Sequence, residues 1–259
     1  MPEDQTLKQQ WVDLSTRWIR EMRDGPNANR CGLLDPPMLA ACGDVTGKRI
    51  LDSGCGEGRF CRMLASRGAK RVLGIDACAP MIAAARELQG ENDEYELGDV
   101  QDLSHLEAES FDLAVSYLNQ CDLPRWRDNT RAIWRLLKSG GRFIVANLHP
   151  MRSAVGHWQK DETGKKLHVI LDDYFAESER DWMMMGVEFT NFHRTLETYY
   201  QGYREAGFLV DRIIEPTATK EAIERYPELR DELRVPNFIV FVLRKENGKV
   251  AGSGPCSLE

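Results

Sequence analysis

Asp52, Gly54, Gly56, Gly58 and Asp76 are spaced as a ligand-holding set. In "ILDSGCGEGRF" an apolar run ends on Asp52 and passes into three alternating glycines. Glycine lets a backbone turn tightly and approach a ligand without side-chain interference. A helix that follows such a turn offers free N–H groups. Asp76 stands 24 residues beyond Asp52, at the end of a second apolar run. An acid there can accept both hydroxyl hydrogens of a ribose. The set therefore points to a nucleoside-containing ligand. A nicotinamide dinucleotide fits poorly, because its fingerprint is G-x-G-x-x-G and this loop is G-x-G-x-G. Asp52 would also repel a pyrophosphate, whereas it would suit an ammonium group. No G-K-[ST] follows, so a P-loop is excluded as well.

The elements that must position these residues alternate. "KRILD" (48–52) reads as a short buried strand, and Glu57 to Arg67 as a helix. "RVLGI" (71–75), a helix from Pro80 to Gly90, "EYELGD" (94–99) and "FDLAVSY" (111–117) follow. A helix from Trp126 to Leu137 stops at "SGG", and "RFIVANL" (142–148) is a fifth strand. Strands that alternate with helices imply a parallel, doubly wound sheet. Thr195 to Ala206 reads as a helix, "FLVDRIIE" as a sixth strand, Pro227 to Leu233 as a short helix, and "NFIVFVLRK" as a last strand. The expected fold class is α/β: a Rossmann-like, seven-stranded doubly wound sheet with its last strand antiparallel.

Leu7, Trp11, Leu14, Trp18 and Met22 recur at spacings of three and four, which predicts an amphipathic helix ending near Asp24 to Asn27. In "LLDPPMLAACGD", Asp35 can cap a short helix with Pro36 in its first turn. The stretch from His149 to Phe192 breaks the alternation, with only weak strand signals in "KLHVIL" and "VEFTNF". The expected organisation is a helical cap (1–47), a cofactor-binding core (48–148), an inserted substrate lid (149–192), the rest of the core (193–246) and a disordered tail (247–259).

The D-x-G-x-G-x-G loop resembles that of class I S-adenosylmethionine-dependent methyltransferases, and the likeness extends along the chain. "GDVQDL" (98–103), "FDLAVSYLNQ" (111–120), "LLKSGGRFIVAN" (136–147) and "YREAGF" (203–208) are similar to that family's later motifs, in the same order. The closest flavour is the small-molecule branch, similar to quinone-biosynthesis methyltransferases. The resemblance implies S-adenosyl-L-methionine as cofactor and S-adenosyl-L-homocysteine as product. It implies that Asp52 and Gly54 hold the methionine end, Asp76 with Ala77 the ribose, and Met81, Asp99 and Val100 the adenine. Asn119 would lie beside the sulfonium. Ser53, Cys55, Cys78 and Ala79 depart from the usual pattern without removing a charge the cofactor needs.

For the acceptor, His149 and His193 are the candidate general bases. Tyr117, Trp158, Tyr174, Trp182 and Tyr199 are candidate walls of an apolar pocket. No acid ends the fourth strand, although Asp122 is nearby, so no metal is expected. "DPPM" at Asp35 lacks the aromatic of amino-methylating DNA enzymes, and the Pro255–Cys256 pair sits in the tail. The net charge of -7 over 259 residues argues against a nucleic-acid partner, because phosphate neutralisation needs clustered Lys and Arg. No apolar run approaches the ~20 residues that span a bilayer, and the polar "MPEDQTLKQQW" lacks a signal peptide's apolar stretch. A cytoplasmic enzyme with a small-molecule substrate is expected, with most of its seven cysteines reduced. A protein or nucleic-acid methyltransferase would instead show a basic cleft. A non-catalytic binding module would keep the glycine loop without an acceptor pocket.

Overall fold

The structure, a computed structural model, describes residues 4–25 and 27–246. The expected disordered tail, with Pro255 and Cys256, lies outside the described residues. Helices α1 (Asp4–Asp24) and α2 (Asp35–Cys42) flank a π-helical segment at Ala28–Leu34. Next come β1 (Arg49–Ser53), α3 (Arg59–Ala65), β2 (Arg71–Asp76), α4 (Ala79–Glu87), β3 (Asp93–Leu97), β4 (Phe111–Tyr117), α5 (Trp126–Leu136) and β5 (Leu137–Leu148). The one-turn helix α6 (Pro150–Ser153) leads to β6 (Val155–Lys160), β7 (Lys166–Asp172), β8 (Glu179–Met184) and β9 (Val187–Phe192). Helix α7 (Leu196–Glu205), β10 (Phe208–Ile214), α8 (Lys220–Arg225) and β11 (Phe238–Lys245) complete the described chain.

Seven strands form one sheet in the order β10-β11-β5-β4-β1-β2-β3. β11 alone runs against its neighbours, pairing antiparallel with both β5 and β10. The central strands are buried on both faces, so they read as continuous apolar runs. Ile50, Leu113 and Ile144 pack on one face with Met38, Phe60 and Leu64. Leu51, Ala114 and Val145 pack on the other with Ile133, Leu136 and Tyr203. This is the expected Rossmann-like sheet, with two local differences. The "SGG" segment lies inside β5, which begins directly at Leu137. Asp35 does not cap α2: it sits in the helix's first turn, and its carboxylate is taken by Arg59 and Tyr117.

The inserted region is two antiparallel hairpins, β6–β7 and β8–β9, each separate from the main sheet. Met185 and Gly186 connect β8 to β9, both at positive φ (51° and 77°), which is the backbone of a type I′ hairpin turn. The hairpins are largely solvent-facing and polar, so their periodicity is weak. β9 is the exception: Phe189 to Phe192 are buried. Trp11 of α1 stacks edge-on against Phe189 with ring centres 4.8 Å apart. Gln10 donates to Thr190 Oγ1 at 3.1 Å and accepts from the Thr190 N–H at 3.2 Å. At its other end α1 is tied to α4, where Arg23 donates to the Ala84 carbonyl at 2.6 Å. Helix α1 thus bridges the core and the second hairpin. Among the described residues, no helix is long and apolar enough to cross a membrane.

Candidate active site

β1 delivers Asp52 to the carboxyl end of the sheet, and the glycine loop turns the chain into α3. Gly54, Gly56 and Gly58 have φ of +80°, +55° and +79°, the left-handed region that side chains rarely tolerate. The loop is pinned to β2 by Gly54 N–H and Cys55 N–H, which donate to the Ile75 carbonyl at 2.8 and 3.1 Å. Gly56 N–H donates to Asp76 Oδ2 at 2.8 Å, and Cys78 N–H to Asp76 Oδ1 at the same distance. Gly56 has nothing within 4 Å of where a side chain would start, so the loop opens onto free space there. Gly58 serves packing instead, because a Cβ would meet the Tyr95 ring at 2.5 Å.

That free space belongs to a cavity of about 1130 Å³ including its mouth. Asp52, Gly54, Gly56, Asp76, Ala77, Met81, Asp99, Val100 and Asn119 all line it. Gly58 is not among the lining residues. Asp99 is held by Gln101 N–H at 2.9 Å and by Arg125 at 3.4 Å. Val100 is fixed through its carbonyl by Asn129 Nδ2 at 2.7 Å, and the same amide donates to Ser53 Oγ at 2.9 Å.

Among the described residues, three of those lining this cavity carry a buried side-chain oxygen with no hydrogen-bond partner: Asp52 Oδ1, Glu57 Oε1 and Asn119 Oδ1. The other Asp52 oxygen accepts from Cys61 Sγ at 3.1 Å. Burial raises the Asp52 carboxyl to about 7, with Asp76 adding to the rise and Arg30 opposing it. A buried carboxylate with an open oxygen is costly until a cation arrives. Arg30 also lines the cavity, its guanidinium between the Trp18 and Tyr117 rings at 5.0 and 4.8 Å. An acid and a guanidinium so placed are complementary to the two ends of an amino acid. The site therefore fits the methionine portion of the expected cofactor, and Asp76 and Met81 continue it along the cavity.

The rest of the wall comes from α1 and the end of β4. Leu7, Lys8, Trp11, Trp18 and Met22 line the roof, and Phe60 and Tyr117 the floor. Tyr117 donates to Asp35 Oδ1 at 2.8 Å, and Arg59 pairs with the same carboxylate. Of the expected acceptor residues, Tyr117 alone lies here. Tyr199 is in the core between Trp126, Tyr203 and Phe241. Trp158 lies on the first hairpin under Arg234 and Lys166, and Trp182 under Arg152. Tyr174 packs beside Phe175 and His193. The insertion contributes no lining residue; it supports the roof helix.

His149 and His193 are not among the residues that line the cavity, and in each an imidazole nitrogen is already engaged as an acceptor. His193 Nε2 lies 2.8 Å from the Tyr174 carbonyl, which can only accept. Nδ1 is thus the acceptor, taking the Ser153 hydroxyl hydrogen at 2.8 Å. Burial lowers the His193 ring below its ordinary pKa, favouring the neutral form. His149 Nδ1 accepts from the Met151 N–H at 3.1 Å, which leaves Nε2 to donate to Glu215 at 3.0 Å. His193→Ala should therefore strand two polar groups and cost about 1–3 kcal/mol. At roughly 2–4 °C per kcal/mol in a chain of this size, a thermal melt should fall by several degrees with cofactor affinity unchanged. An unaltered melting curve with lost turnover would restore the base assignment.

A family profile described as a methyltransferase domain matches residues 51–145. An S-adenosylmethionine-dependent methyltransferase from Mesorhizobium loti, solved as a crystal structure, is 33% identical. The alignment covers 86% of this chain and 99% of that one, with a TM-score of 0.76. A Haemophilus influenzae protein of uncharacterised function is 26% identical over 220 residues, 81% of this chain and 86% of its own. A ubiquinone biosynthesis O-methyltransferase of Neisseria meningitidis is 34% identical over 110 residues, which is 41% of this chain and 46% of that enzyme. The glycine loop, the seven-stranded order and the near-complete match to the Mesorhizobium loti enzyme place this chain among the class I S-adenosylmethionine-dependent methyltransferases.

Proposed function

We propose that the acceptor is a small, partly apolar molecule seated between α1 and the carboxyl end of β4, and methylated on oxygen. The observation that supports this most is the aromatic part of the cavity wall, Trp11, Trp18, Phe60 and Tyr117 with Met22. Aromatic walls with a few fixed polar groups suit a small ligand better than an extended polymer. The Neisseria meningitidis relative, named as an O-methyltransferase, supports oxygen over nitrogen or carbon.

When bound, S-adenosylmethionine supplies an electrophilic methyl on a sulfonium. The chain's own residues do the rest. Asp52 and Arg30 would fix the amino-acid end, Asp76 the ribose hydroxyls, and Met81, Asp99 and Val100 the adenine. Asn119 Oδ1, buried without a partner, would face the cationic centre. The roof helix excludes water, and fixed alignment of two reactants removes a large part of a bimolecular barrier.

The test has two stages. Calorimetric titration with S-adenosylmethionine and S-adenosylhomocysteine should show binding of both. Incubation with methyl-labelled cofactor and a panel of phenols, carboxylates and amines should then move label onto small acceptors. Label incorporated only into protein or nucleic acid from an extract would overturn the reading. Asp76→Ala should weaken cofactor binding roughly 10- to 100-fold, because hydrogen bonds to a charged group are worth about 1.5–3 kcal/mol. Affinity within twofold of wild type would remove Asp76 from the ribose site.

A further inference from the structure

Another buried acid, Asp122, borders the cavity. Asp122 ends a single 3-10 turn, Gln120–Asp122, just after β4. It is 9% exposed and lines the cavity beside Leu118, Asn119 and Leu123. Its Oδ1 accepts from Asn191 Nδ2, on β9 of the insertion, and from Cys121 Sγ at 3.3 Å. Both of these contacts fall on Oδ1 and neither on Oδ2.

The turn that carries Asp122 is fixed from several sides. Buried Gln120 donates to Asn129 Oδ1 at 2.9 Å and to Thr130 Oγ1 at 3.0 Å, and accepts from the Tyr203 hydroxyl at 2.9 Å. Arg194, just after β9, donates to the Gln120 carbonyl at 3.1 Å and the Leu123 carbonyl at 2.6 Å. Asp122 N–H donates to the Asn119 carbonyl at 2.9 Å. The inserted hairpin therefore reaches the carboxyl of Asp122 at the edge of the cavity.

We propose that Asp122 is the general base, with Asn191 its positioning residue, and that the acceptor is protic, an O–H or N–H compound. This rests on the small-molecule reading of the cavity. The acceptor's lone pair forms the bond to the methyl carbon, and the C–S electron pair returns to sulfur as a neutral thioether. The acceptor's proton passes to Asp122 Oδ2. An acid held by an orienting amide and bordering the acceptor's cavity follows the nucleophile–base–orienter logic of many active sites.

The electrostatics agree with this geometry. Burial raises the Asp122 carboxyl to about 7, and Asp76 adds to the rise. Cys121 on its own turn and Asn191 and Arg194 at the end of β9 oppose it. A base is most effective when its pKa lies near the working pH.

The test needs no acceptor. Sinefungin carries an ammonium where the cofactor has its transferable methyl, on a carbon in place of sulfur, so it presents a donor to whatever accepts the acceptor's proton. Wild-type protein at about pH 8 should bind sinefungin roughly tenfold or more tighter than S-adenosylhomocysteine, as a charge-assisted hydrogen bond predicts. The preference should fade below about pH 7, as Asp122 protonates. Asp122→Asn keeps the Asn191 contact and should bind S-adenosylhomocysteine as wild type does, with the preference at about pH 8 reduced roughly tenfold and no longer dependent on pH. A preference that is flat with pH, or unchanged in the variant, overturns the assignment. Should the variant fail to fold, the wild-type pH dependence decides alone. Because the ratio cancels effects common to both ligands, Asp52 does not enter it. Absence of binding by either ligand overturns the cofactor reading itself, a separate failure.

Discussion

Asp52→Asn should reduce affinity for S-adenosylmethionine by roughly 100-fold or more at about pH 8 while raising the melting temperature of the ligand-free protein. Both effects come from one buried carboxyl. In the ligand-free protein Asp52 Oδ1 has no partner, and burial has moved the group from the usual carboxylate range to about 7. An unpaired charge in such a place is a cost, whereas breaking a buried pair by removing one partner costs about 3–5 kcal/mol, which is two decades or more in affinity. The direction of the pH dependence follows. The folded-state pKa is raised, so the folded protein binds the proton more tightly than the unfolded chain does. That contribution to stability is complete below about pH 4 and is lost as pH rises towards about 7. Ligand binding runs the other way, since the cofactor's ammonium needs the ionised form. Between about pH 5 and 7, affinity should rise by up to tenfold per pH unit, with one proton released per ligand bound. In Asp52→Asn that slope disappears and the ligand-free melt above about pH 7 rises. Calorimetry in buffers of different ionisation enthalpy measures the proton directly. A wild-type affinity independent of pH would remove Asp52 from the methionine site.

The cofactor half of the site was legible because its constraints are local. A loop that must pass through the left-handed region three times within five residues needs glycine at those positions, and the acids flanking it sit at strand ends set by the alternation itself. The acceptor half was not legible, for reasons visible residue by residue. Trp11, Trp18 and Met22 carry the periodicity of a core-facing stripe, and nothing in that spacing says the face is cavity rather than core. Arg30 and the Asp35–Arg59–Tyr117 cluster join segments up to 82 residues apart. His149 and His193 were chosen by residue type and by their place at element ends. Their nitrogens are used by Glu215 and Ser153, 66 and 40 residues away, which no local reading reveals. Asp122 stands in the sequence only as an acid a few residues past the fourth strand. Its surroundings depend on Asn191, 69 residues downstream on a hairpin whose strand signal was weak. The Met185–Gly186 turn was the one overlooked local clue, since a glycine between two short alternating runs marks a hairpin.

Gly54→Ala should abolish measurable cofactor binding and lower the melting temperature as well, although the change adds one methyl. At φ +80° any side chain pays roughly 1–2 kcal/mol. Strain alone would leave a folded, weakly binding protein. The larger effect is contact: a Cβ at Gly54 would lie 2.2 Å from Asn119 Cγ and 2.5 Å from its Cβ and Nδ2. Asn119 cannot yield by moving its backbone. Leu118 N–H before it donates to the Ala146 carbonyl at 2.9 Å, and its own carbonyl accepts from Asp122 N–H at the same distance. Beneath it Gln120 is held by the buried network of Asn129, Thr130 and Tyr203. The amide must rotate out of the cavity or the glycine loop must lift from Ile75, and either movement dismantles the surface that faces the methionine end. Gly47→Ala separates the two causes. Gly47 also has a positive φ, +71°, but nothing lies within 4 Å of its missing side chain, and it does not line the cavity. It should lose a similar increment to strain and bind S-adenosylhomocysteine normally. If both variants lose the same stability and both still bind, the close approach of Gly54 to Asn119 has no role in holding the cofactor. If only Gly54→Ala loses binding, the contact between the glycine loop and the end of β4 is what shapes the cleft.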